Sequence, residues 1–265
     1  MNVTPDAVSR RLRSGLAPAL ESDDRLRTFA LDLGREITDY GISVLPRELF
    51  RFRSGAEVAG LVAEDLEAAL WLKPMLIPRE ITRPAPAPEP SQESTEADVP
   101  EPQEPVIDKI PPRVVEFGRG WGVTAFVLAL LDPDNPYELV EPSRARTWWW
   151  RRICSLYDVK NLRVHLMDHD EFVTGNVKQA DVAITKRISP YDALEMTLPL
   201  LREGGRVISF QREDRAAEVR KPRTTSDGLP VRLESTLDLV SPVVRGRQVL
   251  NVRVGTLDAE KQSAA

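Results

Sequence analysis

The sequence predicts an α/β fold, in which a doubly wound, mostly parallel sheet ends in an antiparallel terminal hairpin and follows a small helical N-terminal region. Strand-like apolar runs alternate with helix-like segments over residues 113–256, which is the order typical of a parallel sheet. The first run ends in a glycine-rich turn that leads into a helix. The last two runs have no helix between them, so they are expected to pair antiparallel at one side of a mixed sheet.

The composition excludes disulfide-rich, zinc-binding and membrane-spanning classes of protein. The chain has 265 residues, of which 42% are apolar and 29% are charged, as in ordinary globular proteins. Its single cysteine, Cys154, excludes an internal disulfide framework, and two histidines, His165 and His169, are too few for a zinc site, so no metal is expected. No apolar stretch is long enough for a transmembrane helix and no secretory apolar core opens the sequence. We therefore expect a cytosolic protein in a reducing compartment, without membrane contact.

A proline- and acid-rich segment, residues 81–112, divides the chain. It holds nine of the 22 prolines and no aromatic residue, so it cannot bury enough apolar surface to fold, and we predict a disordered linker. Residues 1–80 before it show apolar side chains at helical spacing and are predicted to form a helical module, either a structural bundle or a surface that binds substrate or a protein partner. Residues 113–256 form the predicted α/β domain, and residues 257–265 a disordered tail.

The α/β domain divides into alternating elements by the period of its apolar residues. The predicted strands cover 113–117, 137–140, 162–166, 181–185, 205–211, 233–240 and 249–254, and the predicted helices cover 123–131, 143–157 and 191–201. In the N-terminal module, helices are predicted over 6–20, 24–41 and 56–72.

The turn after the first strand, E-F-G-R-G-W-G, carries the strongest chemical signal. It places Glu116 before three glycines at alternate positions, Gly118, Gly120 and Gly122. Glycine allows the backbone to approach a ligand without a Cβ clash, and ligands of open parallel sheets lie beyond the carboxyl ends of the strands. The dinucleotide pattern would need a glycine where Val123 stands, and the G-K-S/T of a phosphate loop is absent. Because the turn has an acidic Glu116 beside it and no lysine, it favours a nucleotide-like cofactor that carries a positive charge.

Further acids follow the next strands. Glu141 ends the second strand, where a carboxylate can accept hydrogen bonds from both ribose hydroxyls. Asp168 and Asp170 follow the third strand and can accept a hydrogen bond from the exocyclic amine of a base. The alternative interpretation is that these acids are helix caps or solvated loop charges.

These motifs resemble the S-adenosylmethionine-dependent methyltransferases of Rossmann-like fold, and most of all the ribosomal RNA small-subunit methyltransferase G (glucose-inhibited division protein B) family. The turn E-F-G-R-G-W-G is similar to the family's D-L-G-S-G-A-G, and the stretch from ADVAITKR to GGRVISFQ is similar to its fourth and fifth strands. The tail LVSPVVRGRQVLNVRV is similar to its last two strands, so the resemblance covers about residues 113–255.

The resemblance implies methyl transfer from S-adenosylmethionine to a guanine ring nitrogen in small-subunit ribosomal RNA, and hence an RNA partner and a role in rRNA processing. It places the Glu116–Gly122 turn around the methionine part of the cofactor and Glu141 at the ribose. It also places Lys186, or Arg187 beside it, at the mouth of the site, where it would meet an RNA phosphate or the target base. The sequence departs from the pattern at Asp168, where the family usually has arginine.

No catalytic side chain is predicted, because a sulfonium is already an activated methyl donor and a ring nitrogen needs no general base; aligning the two is the main task. Arg119 and Trp121 are bulkier than their family counterparts and can crowd a cofactor. The alternative hypothesis is therefore a divergent protein of the same fold that binds partners as a scaffold without catalysis.

The helix after Glu141 is basic and aromatic. It contains Trp148, Trp149 and Trp150 together with Arg144 and other arginines. One interpretation is base stacking and phosphate contact, which makes Arg144 a candidate substrate-binding residue. The other is that the tryptophans pack on the sheet and the arginines are solvated. Three consecutive residues of a helix cannot point in one direction, so at least one tryptophan is expected to be partly exposed.

Overall fold

The structure is a computed structural model, and it describes residues 55–83, 106–118, 123–212, 223–224, 228, 230–239 and 247–255. The two helices predicted over 6–20 and 24–41 and the tail predicted over 257–265 lie outside these residues.

The strands of the described residues are β1 Arg79–Arg83, β2 Val106–Ile110, β3 Val114–Phe117, β4 Tyr137–Val140, β5 Leu162–His165, β6 Ala180–Lys186, β7 Leu201–Arg212, β8 Arg223–Thr224, β9 Pro230–Leu239 and β10 Arg247–Val254. Eight of them form one mixed sheet in the order β5-β4-β3-β6-β7-β10-β9-β8. Neighbouring strands from β5 to β7 pair parallel, and β10, β9 and β8 each pair antiparallel with the strand before them in this order, which confirms the predicted fold class. The helices are α1 Gly55–Leu72, α2 Val123–Leu131, α3 Arg144–Leu156, α4 His169–Gly175 and α5 Pro190–Thr197.

The helices cover both faces of the sheet. The alternation of strand residues sends Val114 to one face and Val115 to the other, where they join separate apolar cores. Helices α1, α2 and α3 supply the first core, and α4 and α5 supply the second. The structure is therefore a three-layer arrangement, which positions the carboxyl ends of the parallel strands along one edge.

The predicted linker is wrong at both of its ends. Strand β1 pairs antiparallel with β2, so residues 81–83 and 106–110 lie in a two-stranded sheet, and residues 84–105 lie outside the described residues. Backbone hydrogen bonds and the ion pair between Arg83 and Asp108, 2.6 Å long, hold this sheet together. Its apolar side chains Ile81 and Ile107 are exposed. Because little apolar surface is buried, composition alone did not reveal the pairing.

The boundary between the predicted N-terminal module and the α/β domain also differs from the structure. Helix α1 packs against the sheet, and its Leu66, Ala69 and Leu72 are fully or almost fully buried in the core that contains Phe126. The apolar spacing that predicted this helix reflects packing on the α/β domain. Helix α1 is therefore part of the same folded unit as the residues of the predicted site.

Two other elements differ in extent. Helix α4 was not predicted, because it has seven residues and turns only Phe172 and Val173 toward the core with His169. Helix α5 ends at Thr197 rather than at residue 201, and β7 begins at Leu201 rather than at Gly205.

Candidate functional site

The candidate site lies at the carboxyl edge of the parallel strands. Strands β3 and β6 are neighbours, while the chain continues from β3 to β4 and β5 on the other side, so the connections diverge between β3 and β6. Open α/β sheets bind ligands in the crevice at such a switch point. Gly118, Glu141, Asp168 and Arg187 follow the ends of β3, β4, β5 and β6, and the fold thus brings four of the predicted side chains or turns to this edge.

Glu141 and Gly118 are in close contact. A Cβ atom at Gly118 would lie 2.4 Å from Glu141 Oε2 and 3.0 Å from the carbonyl oxygen of Val140. Only a glycine fits there without displacing its neighbours. The first glycine of the turn is thus required by the carboxylate that ends the second strand, a relationship the sequence expresses only as a spacing.

The two carboxylate oxygens of Glu141 differ in their hydrogen bonding. Oε1 accepts hydrogen bonds from the backbone N–H of Ser143 (2.7 Å) and from Arg146 Nη2 (2.8 Å). Oε2 is buried and has no hydrogen-bond partner among the described residues. A buried acceptor without a partner costs free energy, so this oxygen can accept a hydrogen bond from a bound ligand. Burial raises the pKa of Glu141, opposed by the nearby Arg146 guanidinium and the Ser143 N–H.

Glu116 lies in a buried ionic cluster that joins α1 to the sheet. Its Oε1 is 2.8 Å from Lys186 Nζ, and its Oε2 accepts a hydrogen bond of 2.6 Å from the N–H of Ala125, in the first turn of α2. Lys186 Nζ also contacts Asp65 of α1, which accepts a 3.0 Å hydrogen bond from Thr124 Oγ1. Side chains from a helix, two strands and the start of a second helix therefore meet near the carboxyl end of β3.

The cluster holds one ammonium between two carboxylates. Burial alone would lower the pKa of Lys186, but Asp65 and Glu116 outweigh it and raise that pKa, so the side chain stays an ammonium. Burial raises the pKa of Glu116, with Lys186 opposing the rise and Asp65 adding to it. With all three groups ionised the cluster carries one net negative charge. The start of α2, whose dipole is positive, further stabilises the Glu116 carboxylate.

The structure corrects the expected position of Lys186. This side chain is buried in the ionic cluster and does not lie at the mouth of the site. Arg187 beside it is exposed and has a left-handed backbone (φ 59°). Asp168 is also exposed, at the N-cap position of α4, and makes no capping hydrogen bond with its side chain. Asp170 lies in the first turn of α4 and is exposed as well.

Four residues of the glycine turn lie outside the described residues: Arg119, Gly120, Trp121 and Gly122. The predicted contact of the second and third glycines with a cofactor, and the predicted crowding by arginine and tryptophan, therefore stay predictions.

Asp65 and Thr124 are site residues that sequence reasoning missed. Asp65 and Glu64 are both buried although α1 is otherwise an apolar-faced helix. Two adjacent acids in an apolar stripe are unusual, since buried carboxylates need partners. That signal was present in the sequence, but it did not indicate which distant residue supplied the cation.

Helix α3 follows Glu141, and its three tryptophans differ in burial. Trp149 and Trp150 are fully buried, and Trp150 packs against Phe126 with ring centroids 5.2 Å apart. Trp148 is 56% exposed. The expectation of at least one partly exposed tryptophan is confirmed. Arg144, at the start of the helix, is exposed.

The described residues contain neither a metal-binding cluster nor a membrane-spanning helix. No group of three or more His, Cys, Asp or Glu side chains in these parts of the chain is arranged to hold a metal ion. No helix within the described ranges is both long and apolar enough to cross a membrane.

Comparison with known proteins finds relatives named Ribosomal RNA small subunit methyltransferase G. No family model matches the chain. The Ribosomal RNA small subunit methyltransferase G of Thermobifida fusca is 31% identical over 122 residues, which are 44% of this chain and 51% of that protein. The protein of the same name from Mycolicibacterium smegmatis is 28% identical over 154 residues, which are 57% of this chain and 63% of that protein. The resemblance predicted from the motifs is therefore confirmed, over roughly half the length of these relatives.

Solved methyltransferase structures also match, among them that of P. horikoshii TYW2 in complex with MeSAdo. It is 16% identical, with 54% of this chain and 57% of that chain covered and a TM-score of 0.42. The order of the strands in the sheet defines the fold independently of this likeness.

Proposed function

We propose that the protein is an S-adenosylmethionine-dependent methyltransferase that methylates a guanine ring nitrogen in small-subunit ribosomal RNA. The observation that carries the proposal is Glu141, whose buried Oε2 has no partner in the described part of the chain and lies against a glycine at the switch point of the sheet. The named relatives support the choice of reaction and of RNA as acceptor.

The residues present fit the cofactor. Glu141 would accept hydrogen bonds from the ribose hydroxyls through Oε2, while Ser143 and Arg146 hold its other oxygen. Gly118 has no Cβ atom to crowd that oxygen. When all three groups of the Asp65–Lys186–Glu116 cluster are ionised, its two carboxylates outnumber its one ammonium, and such a net negative charge favours a ligand with a positive charge. When bound, S-adenosylmethionine supplies a methyl group on a positively charged sulfur, which is already electrophilic.

The chain's own task is then to orient the acceptor. A guanine ring nitrogen attacks through a lone pair and loses no proton beforehand, so no general base is needed, and correct alignment supplies most of the acceleration. Asp168 and Arg187 are exposed at the carboxyl edge. We propose that Asp168 accepts a hydrogen bond from an exocyclic amine and that Arg187 and Arg144 contact the RNA.

Calorimetric titration with S-adenosylmethionine and its demethylated product tests the donor. Glu141→Gln replaces a carboxylate by a neutral amide of the same shape, and losing a hydrogen bond to a charged group costs about 1.5–3 kcal/mol. We therefore expect affinity to fall by roughly 10- to 150-fold. Glu203→Gln, at an exposed glutamate near the start of β7, is the matched control and should bind like the wild type. Absence of binding by the wild type at millimolar cofactor would contradict the proposal.

Transfer of a labelled methyl group tests the acceptor separately. Small-subunit ribosomal RNA lacking its own modification should become labelled at a guanine, and an equal amount of transfer RNA should not. Cofactor binding without transfer to ribosomal RNA would reject the acceptor and leave the scaffold alternative.

A further inference from the structure

The exposed face of helix α3 carries a tryptophan that is largely accessible to solvent. Trp149 and Trp150 already fill the core beneath the helix, with no exposed surface. Trp148 points the other way and keeps 56% of its surface in water. An exposed indole adds little to stability, because most of its apolar area is not removed from water. The exposed part of its ring can contact a ligand.

Three arginines surround this indole. Residues three and four apart are neighbours on a helix, so Arg144, Arg151 and Arg152 lie one turn before or after Trp148 on the same face. All three are exposed. Arg151 is also anchored, since its Nη2 donates a 3.2 Å hydrogen bond to the carbonyl oxygen of Val164 on the edge strand β5.

No acidic side chain offsets these cations within the helix. The sequence RARTWWWRRICSL of α3 has no aspartate or glutamate. Its fourth arginine, Arg146, is the one that pairs with Glu141 of the candidate site. The exposed face of α3 therefore carries three arginines around one aromatic ring, although the whole chain has a net charge of −5.

The helix also connects this face to the candidate site. Its cap, Ser143, donates its backbone N–H to Glu141, and Arg144 is the first helical residue. At 1.5 Å of rise per residue, Trp148 lies about 6 Å and Arg152 about 12 Å along the helix from Arg144. A strand that leaves the site along α3 would meet a cation, an aromatic ring and a second cation in that order.

We propose that this face of α3, formed by Arg144, Trp148, Arg151 and Arg152, binds unpaired RNA next to the methylated nucleotide. A base stacks on the Trp148 indole and the arginines contact the flanking phosphates, which is how single-stranded nucleic acids are held without reading their sequence. Stacking needs a base that is out of a duplex, so the surface favours a single-stranded loop over a continuous helix. This inference rests on the proposed RNA acceptor and extends its contact surface beyond the cofactor crevice.

Fluorescence anisotropy with a labelled single-stranded oligoribonucleotide tests the surface on the full chain with S-adenosylmethionine present. Stacking on an aromatic side chain is worth about 1–3 kcal/mol, so Trp148→Ala should weaken RNA binding by roughly 5- to 150-fold. Trp148→Phe keeps a ring and should lose less. Arg152→Gln removes one phosphate contact and should lower the slope of log K against log salt by about 0.7.

Two controls separate the surface from general effects. Leu156→Ala changes a side chain of the same helix that is 57% exposed, and Lys160→Ala removes one exposed cation beyond the helix. Both should bind RNA like the wild type. Calorimetry with S-adenosylmethionine alone, run on every variant, reports folding and the donor site independently of RNA.

The outcomes distinguish this inference from the proposed function. If Trp148→Ala binds RNA within twofold of the wild type, the stacking surface is refuted while methyl transfer still stands. If a duplex binds as tightly as the single strand and responds equally to Trp148→Ala, single-strand preference is refuted. If the wild type binds S-adenosylmethionine but no RNA, both the surface and the RNA acceptor are refuted, and a protein partner for α3 replaces them.

Discussion

Gly118→Ala is the sharpest perturbation of the candidate site. The added methyl group would lie 2.4 Å from Glu141 Oε2, whereas ordinary contacts begin near 3.4 Å, so one of the two atoms must move by about 1 Å. The carboxylate cannot move freely, since its other oxygen is bound by Ser143 and Arg146 at 2.7 and 2.8 Å. The Cβ would also lie 3.0 Å from the Val140 carbonyl oxygen, which belongs to β4.

Two quantities should therefore change together. Overpacking a buried site costs about 1–3 kcal/mol, so the free energy of unfolding, measured in urea, should fall by that amount. The methyl group also occupies space beside the oxygen proposed for ribose binding, so cofactor affinity by calorimetry should fall at least about tenfold.

Gly175→Ala is the matched control for this substitution. A Cβ there meets nothing within 4 Å, and the residue is the last of α4. The change should leave cofactor binding intact and stabilise the protein by up to about 1 kcal/mol. If Gly118→Ala behaved like Gly175→Ala in both assays, the close contact between the glycine turn and Glu141 would not exist in solution.

Two further predictions concern ionisable side chains outside the site. Burial alone would raise the pKa of Glu138, but hydrogen bonds from His165 and Arg113 outweigh it and lower the pKa from 4.5 to about 2. A lowered pKa stabilises the fold above pH 4.5 and loses that contribution toward pH 2, about 3 kcal/mol in all. The stability gap between wild type and Glu138→Gln in urea should therefore be wide at pH 7 and narrower at pH 3; an equal gap at both values would disprove the linkage. Burial raises the pKa of Cys154 to about 12, so a thiol reagent at pH 8 should modify it in urea but not in the native protein, and fast native modification would contradict this.

Local signals predicted most of the parallel sheet. Strand β4, Tyr137–Val140, and helix α2, Val123–Leu131, have the bounds that their apolar patterns predicted. In both cases the decisive information lies within a few residues, because three of the four β4 residues and all α2 residues except Thr124 are apolar, and the flanking turns contain glycine, proline or aspartate. The position of Glu141 at the carboxyl edge followed from the same pattern.

Contacts between distant segments were not predictable in this way. Asp65 and Lys186 are separated by 121 positions, and Asp65 and Thr124 by 59. An acid in a helix indicates that some partner exists if it is buried, but a single sequence does not indicate which. The sequence did not predict the pairing of β1 with β2 for the same reason. The two strands flank the proline-rich segment, and their pairing is stabilised mainly by backbone hydrogen bonds.

The ionic cluster also explains how the two adjacent cations after β6 differ in role. Removing one partner from a buried ion pair leaves an uncompensated charge, which costs several kcal/mol. Lys186 faces two carboxylates and cannot leave them without exposing both to that cost. The next residue, Arg187, follows the end of the strand in a left-handed conformation, and its side chain is exposed. The ammonium therefore fixes α1 to strands β3 and β6 beside the crevice, and the guanidinium is the exposed cation of the pair.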